Sequence, residues 1–169
     1  MTVNIFLALL APLFALLLTK TRPKALKTLL FILWLLFVPN TIYVLTDLEY
    51  LPSQLATIST VLKPVLIAQY IILTAVGLVA YFYAFKKTKR IIQNLTGKFF
   101  KTSIFLFNYL IALAVSIGKL QRLESWDIIL HPFKVVNSSL HNIASIQTAL
   151  FILFFGTLVN IIYFSFNRR

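Results

Sequence analysis

The sequence predicts an all-α integral membrane bundle of five transmembrane helices. Its N-terminus is expected outside and its C-terminus inside, with an interfacial amphipathic helix in the fourth loop. Three observations predict this. Of 169 residues, 60% are hydrophobic and only 12% charged, against about half and a quarter in an ordinary soluble domain. The apolar residues gather into five long runs, each near the roughly 17–25 residues a spanning helix needs. The basic residues gather between alternate runs, the pattern that sets orientation in membrane proteins.

The runs are 3–19, 26–46, 62–85, 99–118 and 143–166, so residues 1–169 read as one transmembrane domain. The first run has no charge before Lys20, and its basic cluster follows it. A signal peptide has the reverse arrangement, so an uncleaved helix is expected. The second run closes in "FVPNTIYVLTDLEYL", the most unusual stretch of the chain. The third is followed by "KKTKRIIQNLTGKFFK", where Ile91, Leu95 and Phe99 recur at one-turn spacing. Flanked by Lys87, Arg90, Lys98 and Lys101, that face suits anionic lipid headgroups on the cytoplasmic side.

The charges then orient the chain. The first loop carries Lys20, Arg22, Lys24 and Lys27. The third carries Lys86, Lys87, Lys89, Arg90, Lys98 and Lys101, and the C-terminus Arg168 and Arg169. Only Lys63, Lys119, Arg122 and Lys134 fall on the other side. Positive loops stay in the cytoplasm, so a multi-pass protein of the cell membrane is expected. All four acids, Asp47, Glu49, Glu124 and Asp127, fall on the outer side. Acids contribute little to orientation, so this clustering points to chemistry at the outer face.

Composition also excludes. With no cysteine there is no disulfide framework or thiolate chemistry. The two histidines, His131 and His141, are too few for a zinc site without carboxylates. No metal and no cofactor is expected. The net charge of +12 is accounted for by topology, so no nucleic-acid partner is expected.

The end of the second run carries the candidate site. Asn40, Tyr43, Asp47 and Tyr50 lie at spacings of 3, 4 and 3, which on an α-helix makes one stripe. Pro39 lacks a backbone donor and crowds the carbonyl of Leu35, so a kink is expected there. Asn40 would lie about 10 Å deeper than Asp47, where an amide faces protein or a water-filled cavity. The fourth loop, "GKLQRLESWDIILHPFKVVNSSLHN", offers a second wall. Leu120, Leu123, Trp126 and Leu130 follow helical spacing, with Trp126 at headgroup level and His131-Pro132 ending the helix. Arg122, Glu124, Asp127 and His131 could then meet the stripe.

These two segments carry a resemblance. Pro39, Asn40, Tyr43, Thr46 and Asp47, and then Lys119, Arg122, Ser125, Trp126 and Asp127, resemble the marked segments of a bacterial polytopic membrane family catalogued as domain of unknown function 1361. "NIFLALLAP", with Asn4 and Pro12, is similar too. Thr41, Ile42, Leu123 and Glu124 depart from the family's usual residues. The resemblance implies fold and membrane location and brings no activity.

Three functions fit the sequence. The first is solute or lipid binding or transport through a polar pocket on the extracytoplasmic side, with a homo-oligomer able to supply further walls. The second is an accessory or assembly protein. There Asn4, Gln69, Asn108, Gln147 and Asn160 hydrogen-bond between helices, and Gly77 and Gly156 allow close approach. The third, less favoured, is an enzyme acting on lipid or envelope precursors, with Asp47, Asp127 and His131 as acid, base or ligands. No nucleophile motif is present.

Overall fold

The computed structural model describes residues 2–121 and 145–166, together with Leu130, Phe133 and Asn137. All secondary structure among the described residues is helical. Helix α1 spans Thr2–Lys20 and α2 Lys24–Tyr43. A 3-10 segment, Val44–Tyr50, leads into the short α3, Leu51–Thr57. A 3-10 turn at Thr60–Leu62 opens α4, Lys63–Thr96. Gly97–Phe99 is again 3-10, followed by α5, Phe100–Gln121, and finally α6, Ile146–Phe166.

Four helical stretches are long and apolar enough to cross a membrane: Val3–Lys20, Lys24–Thr57, Thr60–Lys119 and Ile146–Phe166. They are the helices of a membrane protein. The expected spans 62–85 and 99–118 both fall within the third stretch, which is 60 residues long. Gly97 interrupts it with φ of 55°. That left-handed conformation is routine for glycine and costly for other residues, and it ends α4 as glycine ends many helices. Of the amphipathic helix expected over Leu120–Leu130, Leu120 falls at the end of α5 and residues 122–129 lie outside the described residues.

The chain divides into two compact units, Met1–Lys89 and Arg90–Arg169. In the first, α1, α2 and the first part of α4 pack as three antiparallel rods. The directions follow from the contacts. Asn4 meets Asp47, Ala8 meets Val44, and Phe14 meets Phe37, so position rises along α1 as it falls along α2. Likewise Leu73 packs with Val44, Gly77 meets Thr41, and Phe85 meets Trp34. Position therefore rises along α4 as it falls along α2.

These pairs stack into layers. Ala8, Val44 and Leu73 form one apolar layer, with Ile5 against it. One turn further along α2 toward its start lies a tight crossing. A Cβ on Gly77 would stand 2.5 Å from the Thr41 carbonyl oxygen and 3.3 Å from Val44 Cβ. Only glycine permits that approach of α4 to the α2 backbone. On the facing side of α1, Ala8, Ala11 and Ala15 are fully buried and small, so little side chain separates it from its neighbours. At the other end, Trp34 and Phe85 meet edge-to-face at 5.6 Å, and Phe85 contacts Tyr81 at 4.7 Å. Such aromatic pairs add about 0.5–1.5 kcal/mol beyond their burial.

In the second unit α5 and α6 run antiparallel. Phe105 pairs with Asn160, and Tyr109 with Gly156 and Thr157. Ser145 caps α6, its hydroxyl accepting the Thr148 N–H at 3.2 Å. That bond satisfies one of the backbone donors a helix start leaves open.

Candidate functional site

The candidate site sits one layer beyond Ala8, Val44 and Leu73. Asn4 precedes Ala8 by four residues, Asp47 follows Val44 by three, and Tyr70 precedes Leu73 by three. Because the three rods are antiparallel, all three steps lead toward the same end of the unit. Helical register thus places Asn4, Asp47 and Tyr70 in one polar layer on top of an apolar one.

The local chain geometry explains how Asp47 gets there. Pro39 lies inside α2, and the helix continues through it to Tyr43. Around the proline, Asn40 donates to the Phe37 carbonyl at 3.3 Å and Thr41 to that of Val38 at 2.7 Å. Such side-chain bonds satisfy carbonyls near a membrane proline. From Val44 the chain tightens to 3-10 geometry. With three residues per turn, Val44, Asp47 and Tyr50 align, and Asp47 moves about 120° away from Tyr43. The single stripe expected from α-helical spacing is therefore divided. Asn40 and Tyr43 are half-buried, Asp47 is buried and Tyr50 is exposed.

Asp47 is only 6% exposed. Its Oδ2 accepts a hydrogen bond from Asn4 Nδ2 at 3.0 Å. Among the described residues it has no ion-pair partner. Tyr70 is 1% exposed, and its hydroxyl has no hydrogen-bond partner among the described residues. The Tyr70 hydroxyl is thus a buried polar group left unsatisfied among the described residues, which is uncommon in folded proteins.

Of the other residues expected at the site, Arg122, Trp126, Asp127 and His131 lie outside the described residues. No cluster of three or more metal-ligating side chains occurs among the described ones. Of the residues expected at the lipid interface, Arg90, Lys98 and Lys101 are exposed. Lys87 places its ammonium 5.3 Å from the Tyr83 ring centre, and Lys98 lies at the same distance from that of Phe99.

A second polar cluster joins α5 to α6. Asn108 Nδ2 donates to Asn160 Oδ1 at 2.9 Å. Asn160 Nδ2 in turn donates to the Gly156 carbonyl at 3.0 Å and the Phe105 carbonyl at 3.3 Å. Both asparagines are buried, and these bonds use both ends of the Asn160 amide. A cavity of about 340 Å³ beside them is lined by Phe105, Tyr109, Thr157, Asn160, Phe164 and Ser165.

Residues 3–162 match the model of a family described as a protein of unknown function, DUF1361. The chain belongs to the DUF1361 family. No curated protein matches it, and neither does any solved structure. The match takes in both units of this DUF1361 chain, and with them the Asn4–Asp47 bond and the Asn108–Asn160 bond.

Sequence spacing missed Tyr70 and the pairing of Asn4 with Asp47. A signal for the pairing existed. Asn4 is a polar residue near the start of one apolar run, and Asp47 lies at the end of the next. Antiparallel packing brings such positions to the same level. For Tyr70 the only signal was its place one turn before Leu73 in α4, visible once the register is known.

Proposed function

We propose that this DUF1361 protein is a five-span protein of the cell membrane, N-terminus out and C-terminus in. We propose further that a pocket at the extracytoplasmic end of α1, α2 and α4 binds a small polar solute, for sensing or transport. One observation carries this. Asp47 is buried in a membrane protein with a neutral amide as its one hydrogen-bond partner among the described residues. A purely structural role would leave the set closed, as it is at Asn160. Ionisable groups at membrane depth are costly to keep and are by default functional.

The test is thermal unfolding of the purified protein against a solute library, repeated with Asp47→Asn. Stabilisation by a solute in the native protein, lost in the variant, supports the reading. If no solute discriminates the two while Asp47→Asn alone alters stability, the carboxylate serves packing only.

A second reading is favoured by the Asn108–Asn160 cluster. Its bonds are internal, and such groups hold helices together at roughly 0.6–2 kcal/mol each. In that reading the protein is an accessory or assembly factor, and both polar layers are fasteners.

A further inference from the structure

We propose that a groove between α1 and α4 holds one acyl chain of an anionic phospholipid, with the Lys87 ammonium on its phosphate. The site is separate from the Asn4–Asp47 bond and does not rest on the solute-binding reading.

The groove has a volume of about 400 Å³ and an almost wholly apolar lining. Leu9 and Pro12 of α1 form one wall. On α4 the lining runs from Ile72 through Ala75 and Val79 to Tyr83. These positions recur at steps of three and four, so they share one face of the helix. Ala75 is small, which leaves a channel between its larger neighbours. Ile72 and Val79 are 64% and 67% exposed, so the channel is open along its side. Lys87 follows Tyr83 by four residues and continues the same face. Its ammonium lies 5.3 Å from the Tyr83 ring centre. An apolar channel thus ends on a cation.

Length and charge select the occupant. From Ile72 to Tyr83 the groove runs about 16 Å at helical rise. The hydrocarbon core is about 30 Å thick, so one leaflet contributes about 15 Å. The groove therefore matches one chain of one leaflet. A helix from a second copy crosses both leaflets and needs a seam about twice as long. Lys87 lies about 6 Å beyond Tyr83. That sets its ammonium at headgroup depth, with the stem along the apolar surface. Phosphate is the anion at that depth, and a lysine binds it as a point charge. The unit's two carboxylates, Asp47 and Glu49, follow α2 at the opposite end. Lys20, at the end of α1, and Lys24, at the start of α2, lie at the Lys87 end. A positive end prefers an anionic phospholipid to a zwitterionic one. In the orientation proposed above this is the cytoplasmic leaflet, and the site itself does not depend on that orientation.

The experiment is native mass spectrometry of the full chain in detergent. Phosphatidylglycerol and phosphatidylcholine of one chain length are added in equal amounts. A single phosphatidylglycerol is expected to bind first, preferred roughly fivefold, the effect of one lysine near a membrane surface. Lys87→Gln should abolish the preference, and Lys87→Arg should keep it. Lys89→Gln is the control, because Lys89 lies about 200° around the helix from Lys87. It should leave the preference unchanged. Ala75→Phe fills the groove from an exposed position. It should weaken first binding of both lipids roughly tenfold or more, as loss of a few buried methylenes does. The two positions are tested separately, so the proposal stays testable where one variant does not fold.

Four results overturn it. Equal binding of the two lipids by the native chain would show that Lys87 selects nothing. A loss of preference in Lys89→Gln as large as in Lys87→Gln would show diffuse surface charge and no site. Unchanged first binding in Ala75→Phe would place the lipid outside the groove. A dimer that Ala75→Phe dissolves would make a second copy the occupant. None of these outcomes involves Asp47, so the solute-binding reading stands or falls on its own test.

Discussion

Asn4 and Asp47 are 43 residues apart in sequence and 3.0 Å apart in the structure. The bond closes the end of the first three-helix unit, tying the start of α1 to the 3-10 segment after α2. Asn4→Ala removes the neutral donor from a buried carboxylate. The expected loss is about 1–3 kcal/mol of stability, the penalty for a buried polar group left unsatisfied. Adding Asp47→Leu to that variant should recover part of the loss, because the orphaned group is gone. Reversible unfolding in detergent measures both. Additive losses would show that the two side chains act independently.

Gly77 should tolerate no side chain. In Gly77→Ala the new methyl meets the Thr41 carbonyl oxygen at 2.5 Å, and backbone cannot swing aside. The α2–α4 crossing has to open, at a cost of about 1–3 kcal/mol. Gly156→Ala meets the Tyr109 ring instead. A side chain can rotate away, so the smaller loss is expected there. Thermal midpoints of the two variants decide, and a larger drop for Gly156→Ala would contradict the packing described.

Asn108 and Asn160 should be energetically coupled. Asn160 accepts one bond, from Asn108, and donates two, to the Gly156 and Phe105 carbonyls. Asn160→Leu leaves the Asn108 donor and two carbonyls to find new partners. Asn108→Leu removes the bond to Asn160, worth roughly 0.6–2 kcal/mol. The double variant should lose less than the two single losses added. Unfolding of the four proteins of this cycle checks the coupling, and strictly additive losses would refute it.

The proposed orientation is directly testable because the chain has no cysteine. Ser53→Cys and Lys98→Cys are both at exposed positions. With intact cells, a membrane-impermeant maleimide should label the first and spare the second until the membrane is opened. Labelling of both from one side would exclude the five-span, N-out arrangement.

Much of this protein was decided by local sequence. The apolar runs alone determine that it is helical and membrane-embedded, because backbone groups in hydrocarbon have to pair within their own segment. The amides that bond between helices, Asn4, Asn108 and Asn160, stand out for the same reason: lipid offers them no partner. The glycines Gly77 and Gly156 stand out as the points where helices can touch. Which helix each of these meets was left to the tertiary structure. Periodicity reports the face a residue occupies and says nothing of what lies opposite. So Asp47 finds Asn4 and lies near Tyr70 only after three antiparallel rods lock into register. The 3-10 tightening after Tyr43, which turns Asp47 away from the α-helical stripe, also belongs to the fold. Its first residue, Val44, packs in one layer with Ala8 and Leu73, and neither is its neighbour in the chain.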